Sequence, residues 1–298
     1  MPAFVMSAAF LSAALMLGAL GCGCSERGGG SGLGMEGIMA FGALGGTVGL
    51  RALSGAAPVA AAAGSVLAAC FFGMLLSLLM TAAGRMGAER KLAGLGISLL
   101  GTAAAAAAAE GLNRAADSGT PSAEAGYAVL RRVFVTEAAG LEVDMLAVLA
   151  LLLFAAGCLI LYRTRFGACL RACGDQSRTA AGAGVSAAGV RLTGMLISGF
   201  LGGLGGLMRV LENDAAWNAG AGAAGFGFLS MAVMILGKDR PLLLAAAAVI
   251  TGLLCVPETA GGIPLLRNAG LSGPVYCMIP FVFVMACLAL AGRYRRAR

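Results

Sequence analysis

Five arginines fall between residues 163 and 191, at Arg163, Arg165, Arg171, Arg178 and Arg191, in a chain of which only 12% is charged. Guanidinium groups pair in a planar, two-pronged way with carboxylates. Here they are interleaved with Gly174, Gly182, Gly184 and a run of alanines, a mixture that forms a short helix with flexible ends. The segment reads as a docking surface for a carboxylate-bearing partner. The chemistry missing elsewhere is as informative. There is no histidine in the 298 residues, which removes the commonest general base, imidazole metal sites and histidine-based triads. The only Gly-Lys pair, Gly237-Lys238, is followed by Asp239 and lacks the upstream glycine of a phosphate-binding loop. Gly32-Leu-Gly34-Met-Glu-Gly37 matches a dinucleotide-binding spacing, but it enters an apolar span rather than joining a strand to a helix. The nine cysteines are scattered, mostly in apolar runs. Cys22/Cys24 and Cys169/Cys173, the two close pairs, read as structural thiols rather than a zinc set or a disulfide framework.

The elements that position these residues are membrane helices. With 59% hydrophobic residues and a mean hydropathy of +0.91, the chain is an integral membrane protein, and each crossing takes about 20 apolar residues as helix. The length allows about eight to ten spans. Nine are drawn, at Pro2–Gly21, Met35–Leu50, Val59–Thr81, Leu92–Ala109, Val143–Tyr162, Leu192–Leu211, Trp217–Gly237, Leu242–Val256 and Pro274–Gly292, giving a single all-α transmembrane domain over residues 1–298. Met35–Leu50 is short and glycine-rich, so a broken or partial crossing is expected there. The alanine run Ala103–Ala109 is expected inside the bundle rather than against lipid. The first apolar stretch lacks a basic leader and reads as a span rather than a signal peptide, although Ala19-Leu20-Gly21-Cys22 resembles a lipoprotein cleavage site.

Assigning segments alternately to the two sides puts 15 of the 21 basic residues on one of them. The positive-inside rule makes that side cytoplasmic, with 163–191 and the C-terminus inside and a loop at 110–142 outside. The net charge of +7 then reflects topology rather than nucleic-acid affinity. Glu36 starts a span near the inner boundary. An ionisable group at membrane depth is a functional candidate by default, and pairing with Arg27 is the favoured reading over contact with a solute or gate. Ser198 and Gly199 begin a stripe of small residues that lets another helix approach or lines a moving pathway. Trp217, Asn218, Phe226 and Phe228 offer aromatic surface on the outer side.

Three blocks carry a resemblance. Ser25-Glu-Arg-Gly28 followed by Gly34-Met-Glu-Gly-Ile-Met39 and Gly42-Ala43 resembles the run SERAGVVNIGLEGMMLMGA of permease subunits of ATP-binding cassette (ABC) importers of the branched-chain amino acid, simple sugar and nucleoside type. Thr164–Val185, running into Arg191 and Ser198-Gly199, is similar to TRFGLALRAVGENPRAAEAAGI and the helix after it. Gly225–Leu242 resembles GRGFTGIAVALLGRNNPLG. Gly32 and Thr179 depart from the family's Asn and its frequent acidic residue. The resemblance implies a non-enzymatic transport subunit of the bacterial cytoplasmic (inner) membrane, in contact with lipid. It implies a second permease subunit, cytoplasmic ATPase subunits that carry ATP and Mg, and an external substrate-binding lipoprotein. It also implies that Gly174, Asp175, Arg178, Ala180, Ala181, Gly182, Gly184 and Val185 touch the ATPase. A nucleoside, simple sugar or riboflavin is the implied solute. The rival readings are a self-contained secondary transporter or channel, which would show repeated intramembrane ion sites, and a membrane-embedded enzyme, which would need convergent acid, base or metal ligands.

Overall fold

Lipid offers the backbone no hydrogen-bond partner, so each apolar stretch satisfies its own amides by coiling. The computed structural model describes residues 2–53, 57–87, 89–117, 135–138, 141–175, 182, 186–212, 225–237, 240–259 and 273–296. Its helices are α1 (Pro2–Arg27), α2 (Met35–Ala52), α3 (Pro58–Arg85), α4 (Arg90–Asp117), α5 (Met145–Arg163), α6 (Arg165–Asp175), α7 (Ala187–Glu212), α8 (Phe226–Gly237), α9 (Pro241–Thr259) and α10 (Gly273–Arg296). Each of the nine expected spans overlaps one of these, that at Trp217–Gly237 being described only from Gly225, and α6 is a short helix in the arginine-rich segment, where one is expected. Six helices, α1 to α5 and α7, are long and apolar enough to cross a membrane, whereas the apolar parts of α8, α9 and α10 are shorter.

Three expectations are corrected. Met35–Leu50 is not broken: α2 is a continuous helix of 18 residues, long and apolar enough with its lead-in to cross, and the 3-10 turn at Gly32–Gly34 before it is capped by Ser31, which accepts from Leu33 N–H at 3.3 Å. The alanine run does not sit wholly inside the bundle. Ala105 is buried while Ala103 and Ala107 are exposed, because α4 lies at the perimeter against α2 and α3. The segment at 110–142 is not all loop, since α4 runs on to Asp117 and an antiparallel hairpin of β1 (Val135–Ala138) and β2 (Leu141–Asp144) precedes α5, with Val135 opposite Asp144.

The centre of the bundle is α1, α2 and α7, which are largely buried; α3, α4 and α5 form its outer wall. Leucine gains nothing by leaving lipid for another leucine, so tight association here depends on shape, and small residues supply it. A Cβ on Gly42 would land on the backbone of Gly203, one on Gly206 on the carbonyl of Met39, and one on Gly73 or Gly199 on the backbone of the other helix. Thus α2, α3 and α7 meet backbone to backbone. Outer faces stay apolar, with Leu67, Phe71 and Leu75 on α3 and Leu151, Leu152 and Leu159 on α5 exposed, as lipid contact requires. Several buried hydroxyls are satisfied within their own helices. Ser12 donates to the Ala8 carbonyl at 2.6 Å and Thr251 to that of Ala247 at 2.8 Å.

The junction gives a test. Gly203→Ala overpacks a contact with no slack and should destabilise the fold by about 1–3 kcal/mol. Gly96→Ala, on an α4 face with nothing nearby, should instead be neutral or stabilising by about 0.5–1 kcal/mol, the helical preference of alanine over glycine. Thermal melts of the detergent-purified chain, read by size-exclusion chromatography, separate the two. Equal melting of both variants would remove the junction from its structural role.

Candidate functional site

The N-terminus of α8 leaves its first amides without partners inside the helix. Glu36, at the start of α2 and only 3% exposed, supplies them. Its Oε1 accepts from the N–H of Gly225 at 2.6 Å, and its Oε2 from Gly227 at 2.8 Å and Phe228 at 3.1 Å. The sequence makes this possible on both sides. Gly225 has a φ of +86°, in the left-handed region that favours glycine. Gly227 lets α8 approach so closely that a Cβ there would strike the Glu36 backbone. A negative charge at a helix N-terminus also meets the favourable end of the helix dipole.

Arg209 of α7 is the second ionisable group at this place. It is 4% exposed, and its guanidinium lies over the Phe226 ring, 5.1 Å from the centroid. The start of α8 is thus held by a carboxylate on its amides and a cation on its first aromatic ring. Arg27, the expected partner of Glu36, is turned to α5: Nη2 donates to the Tyr162 hydroxyl at 2.9 Å, with the guanidinium 4.9 Å from the centre of the Tyr162 ring. The pairing reading for Glu36 is therefore corrected. Its partners are backbone amides, which no charge-matching of side chains reveals.

The other sequence candidates separate into distinct places. Ser198 is fully buried with an Oγ that has no hydrogen-bond partner among the described residues, and Gly199 sits against Ser77 and Gly73 at the central junction. Phe226 is 4% exposed and so belongs to the interior rather than to an aromatic surface, while Phe228 is 42% exposed. Gly174 packs where a Cβ would meet the Arg27 carbonyl, docking α6 onto the end of α1, and Asp175 closes α6. Gly182 is exposed with open space around it. Arg178, Ala180, Ala181, Gly184, Val185, Trp217 and Asn218 lie outside the described residues. Sequence reasoning missed Arg209, although a lone charge in the glycine stripe of α7 was a signal for it.

Removing the carboxylate orphans three buried donors. Glu36→Ala should cost about 2–4 kcal/mol, from unsatisfied amides and a lost cap, while Glu36→Gln keeps acceptor geometry without charge and should cost less. Hydrogen exchange at the amides of Gly227 and Phe228 is the readout. Both should exchange faster in Glu36→Ala, and unchanged protection would show that the amides are held by something else.

Comparison with known proteins follows this geometry. Residues 4–285 match the family described as branched-chain amino acid transport system / permease component. The chain is 33% identical over 132 residues to the nucleoside ABC transporter permease protein NupC of Lactococcus lactis subsp. cremoris (strain MG1363), covering 44% of this chain and 41% of that one. It is 29% identical over 300 residues to the guanosine ABC transporter permease protein NupQ of Bacillus subtilis (strain 168), covering 96% of this chain and 90% of that one. The matched region thus spans about two-fifths of NupC and nearly all of NupQ. No solved structure matches. A multi-pass helix bundle matched to this family over almost its whole length is a protein of the bacterial cytoplasmic membrane. The chain belongs to the branched-chain amino acid transport system permease component family.

Proposed function

We propose that the chain forms part of the translocation pathway of an ABC importer for nucleosides. The observation that carries this reading is the similarity to a guanosine permease over 96% of the chain. Simple sugars and riboflavin are the competing solutes. In this reading the chain works with a second permease subunit, cytoplasmic ATPase subunits that bind ATP and Mg, and an external binding protein. No covalent chemistry falls to this chain.

The physical mechanism is alternating access, in which packed helices shift between two arrangements. The Glu36 clip suits it, because three hydrogen bonds from one carboxylate hold the start of α8 to α2 and can break together. The arginine-rich segment is the proposed point where the ATPase pushes. Arg178 and the backbone of Ala180, Ala181, Gly182, Gly184 and Val185 form its contact surface, and Gly174 and Asp175 tie it to the bundle through α6. Arg209 and Phe226 are proposed as neighbours of the gate, with Ser198 and Gly199 beside the moving pathway.

Two measurements test this. Vesicles holding the chain with its partner subunits should take up guanosine in an ATP-dependent way in preference to ribose or riboflavin. Preference for either of those replaces the solute, and uptake by this chain alone without ATP replaces the class with a secondary transporter. Gly182→Trp adds a side chain where the structure leaves open space, so it should fold normally yet uncouple ATP hydrolysis from uptake. Arg178→Glu should do the same by turning attraction to repulsion. Transport like the parent in both assembled variants would reduce the segment to a topological anchor.

A further inference from the structure

Where α3 ends and α4 begins, a cavity of about 150 Å³ opens between these two helices, α7 and the turn at Gly28–Gly30. Three arginines line it: Arg85 from the last turn of α3, Arg90 from the first turn of α4 and Arg191 from the start of α7. Met80 and Met195 supply apolar wall. Arg90 and Arg191 converge. From the place where a side chain on Gly29 would begin, Arg191 Nε is 3.2 Å away, Arg191 Nη2 3.3 Å and Arg90 Nη1 3.3 Å. Gly29 has a φ of +77° and leaves that space open.

Two features of this cluster are unbalanced. Among the described residues Arg191 Nε is buried and has no hydrogen-bond partner, and Nη2 of the same group makes a long bond, 3.5 Å, to the Cys173 carbonyl. Like charges drawn together repel, and a buried charged donor without a partner is costly. Among the described residues no carboxylate pairs with any of the three arginines. An anion with several acceptor oxygens relieves both at once, and guanidinium groups are the side chains best matched to phosphate. The surroundings choose the source of the phosphate. The flank of α3 and α4 beside the cavity is apolar and exposed, with Leu79, Met86, Leu92 and Leu95 facing outward, which suits acyl chains rather than a water-borne ion. Basic pockets between membrane helices take anionic headgroups in this way.

We propose that this cavity holds the phosphate of an anionic phospholipid headgroup, with Arg85, Arg90 and Arg191 around it and the acyl chains along the outer flank of α3 and α4. The site is separate from the Glu36 clip and does not depend on which solute is carried. The full-length chain, purified in detergent, is exchanged against phosphatidylglycerol or phosphatidylcholine, and retained lipid is weighed by native mass spectrometry. Phosphatidylglycerol should be retained in preference to phosphatidylcholine, and its apparent affinity should fall about fivefold for each arginine neutralised, the effect of about 1 kcal/mol per basic residue near an anionic surface. Arg90→Gln is exposed and should fold without difficulty; Arg90→Gln/Arg191→Gln is the stronger variant; Arg240→Gln, exposed and outside the cavity, controls for net charge. Equal phosphatidylglycerol retention by the parent, the double variant and the control overturns the site. If inorganic phosphate raises the melting temperature of the parent but not of Arg90→Gln, and neither lipid is preferred, the lipid assignment is overturned in favour of a free anion.

Discussion

The backbone-to-backbone contact of α2 with α7, where Gly42 meets Gly203 and Gly206 meets Met39, is the constraint from which the rest follows. Helices in lipid gain little by burying leucine against leucine, so their association is decided by how many atoms come within contact distance. Glycines at the crossing of α2, α3 and α7 bring whole backbones into that range. Once those three axes are fixed, α1 packs along α7 and α4 along α2, while the outer faces of α3, α4 and α5 are left for lipid. The large apolar side chains fill what remains and do not choose the arrangement.

The same closeness sets up the polar site. Only because Gly227 admits the α2 backbone can a side chain as short as Glu36 reach three amides of another helix. The two sequence blocks that carry Glu36 and the Gly225–Phe228 run lie about 190 residues apart and read as separate similarities. In the fold they are the two halves of one contact. Arg209 completes it from α7, so α2 and α7 each hold the start of α8 by a different kind of interaction.

Much of the helix inventory was legible in the sequence, because the need to satisfy the backbone in lipid leaves a twenty-residue apolar signature that hydropathy detects. The hairpin before α5 left no such signature, being short and set in a polar stretch, whereas a short helix was expected in the arginine-rich segment from its composition, and α6 lies there. The continuity of α2 was hidden for another reason. Its glycines weaken an isolated helix, and only the partners that press against them repay the cost. Glu36 was visible as a charge out of place, but its partners were not, since every residue carries an amide and nothing in a sequence marks which amide is orphaned by a helix start. The glycine with a positive φ, Gly225, is the single local sign of that turn.

The separation between Glu36 and its partners also orders the birth of the molecule. The carboxylate is made 189 residues before the first amide that receives it. At synthesis rates of about 5–20 residues per second, α2 waits about 10–40 s for α8 to exist. Throughout that interval the start of α2 carries an ionisable group with no helix end to meet it, and such a group is poorly tolerated in hydrocarbon. The contact between α2 and α8 therefore cannot form when α2 inserts. It forms only when the later part of the chain arrives, which makes the second half of the protein a requirement for completing the first.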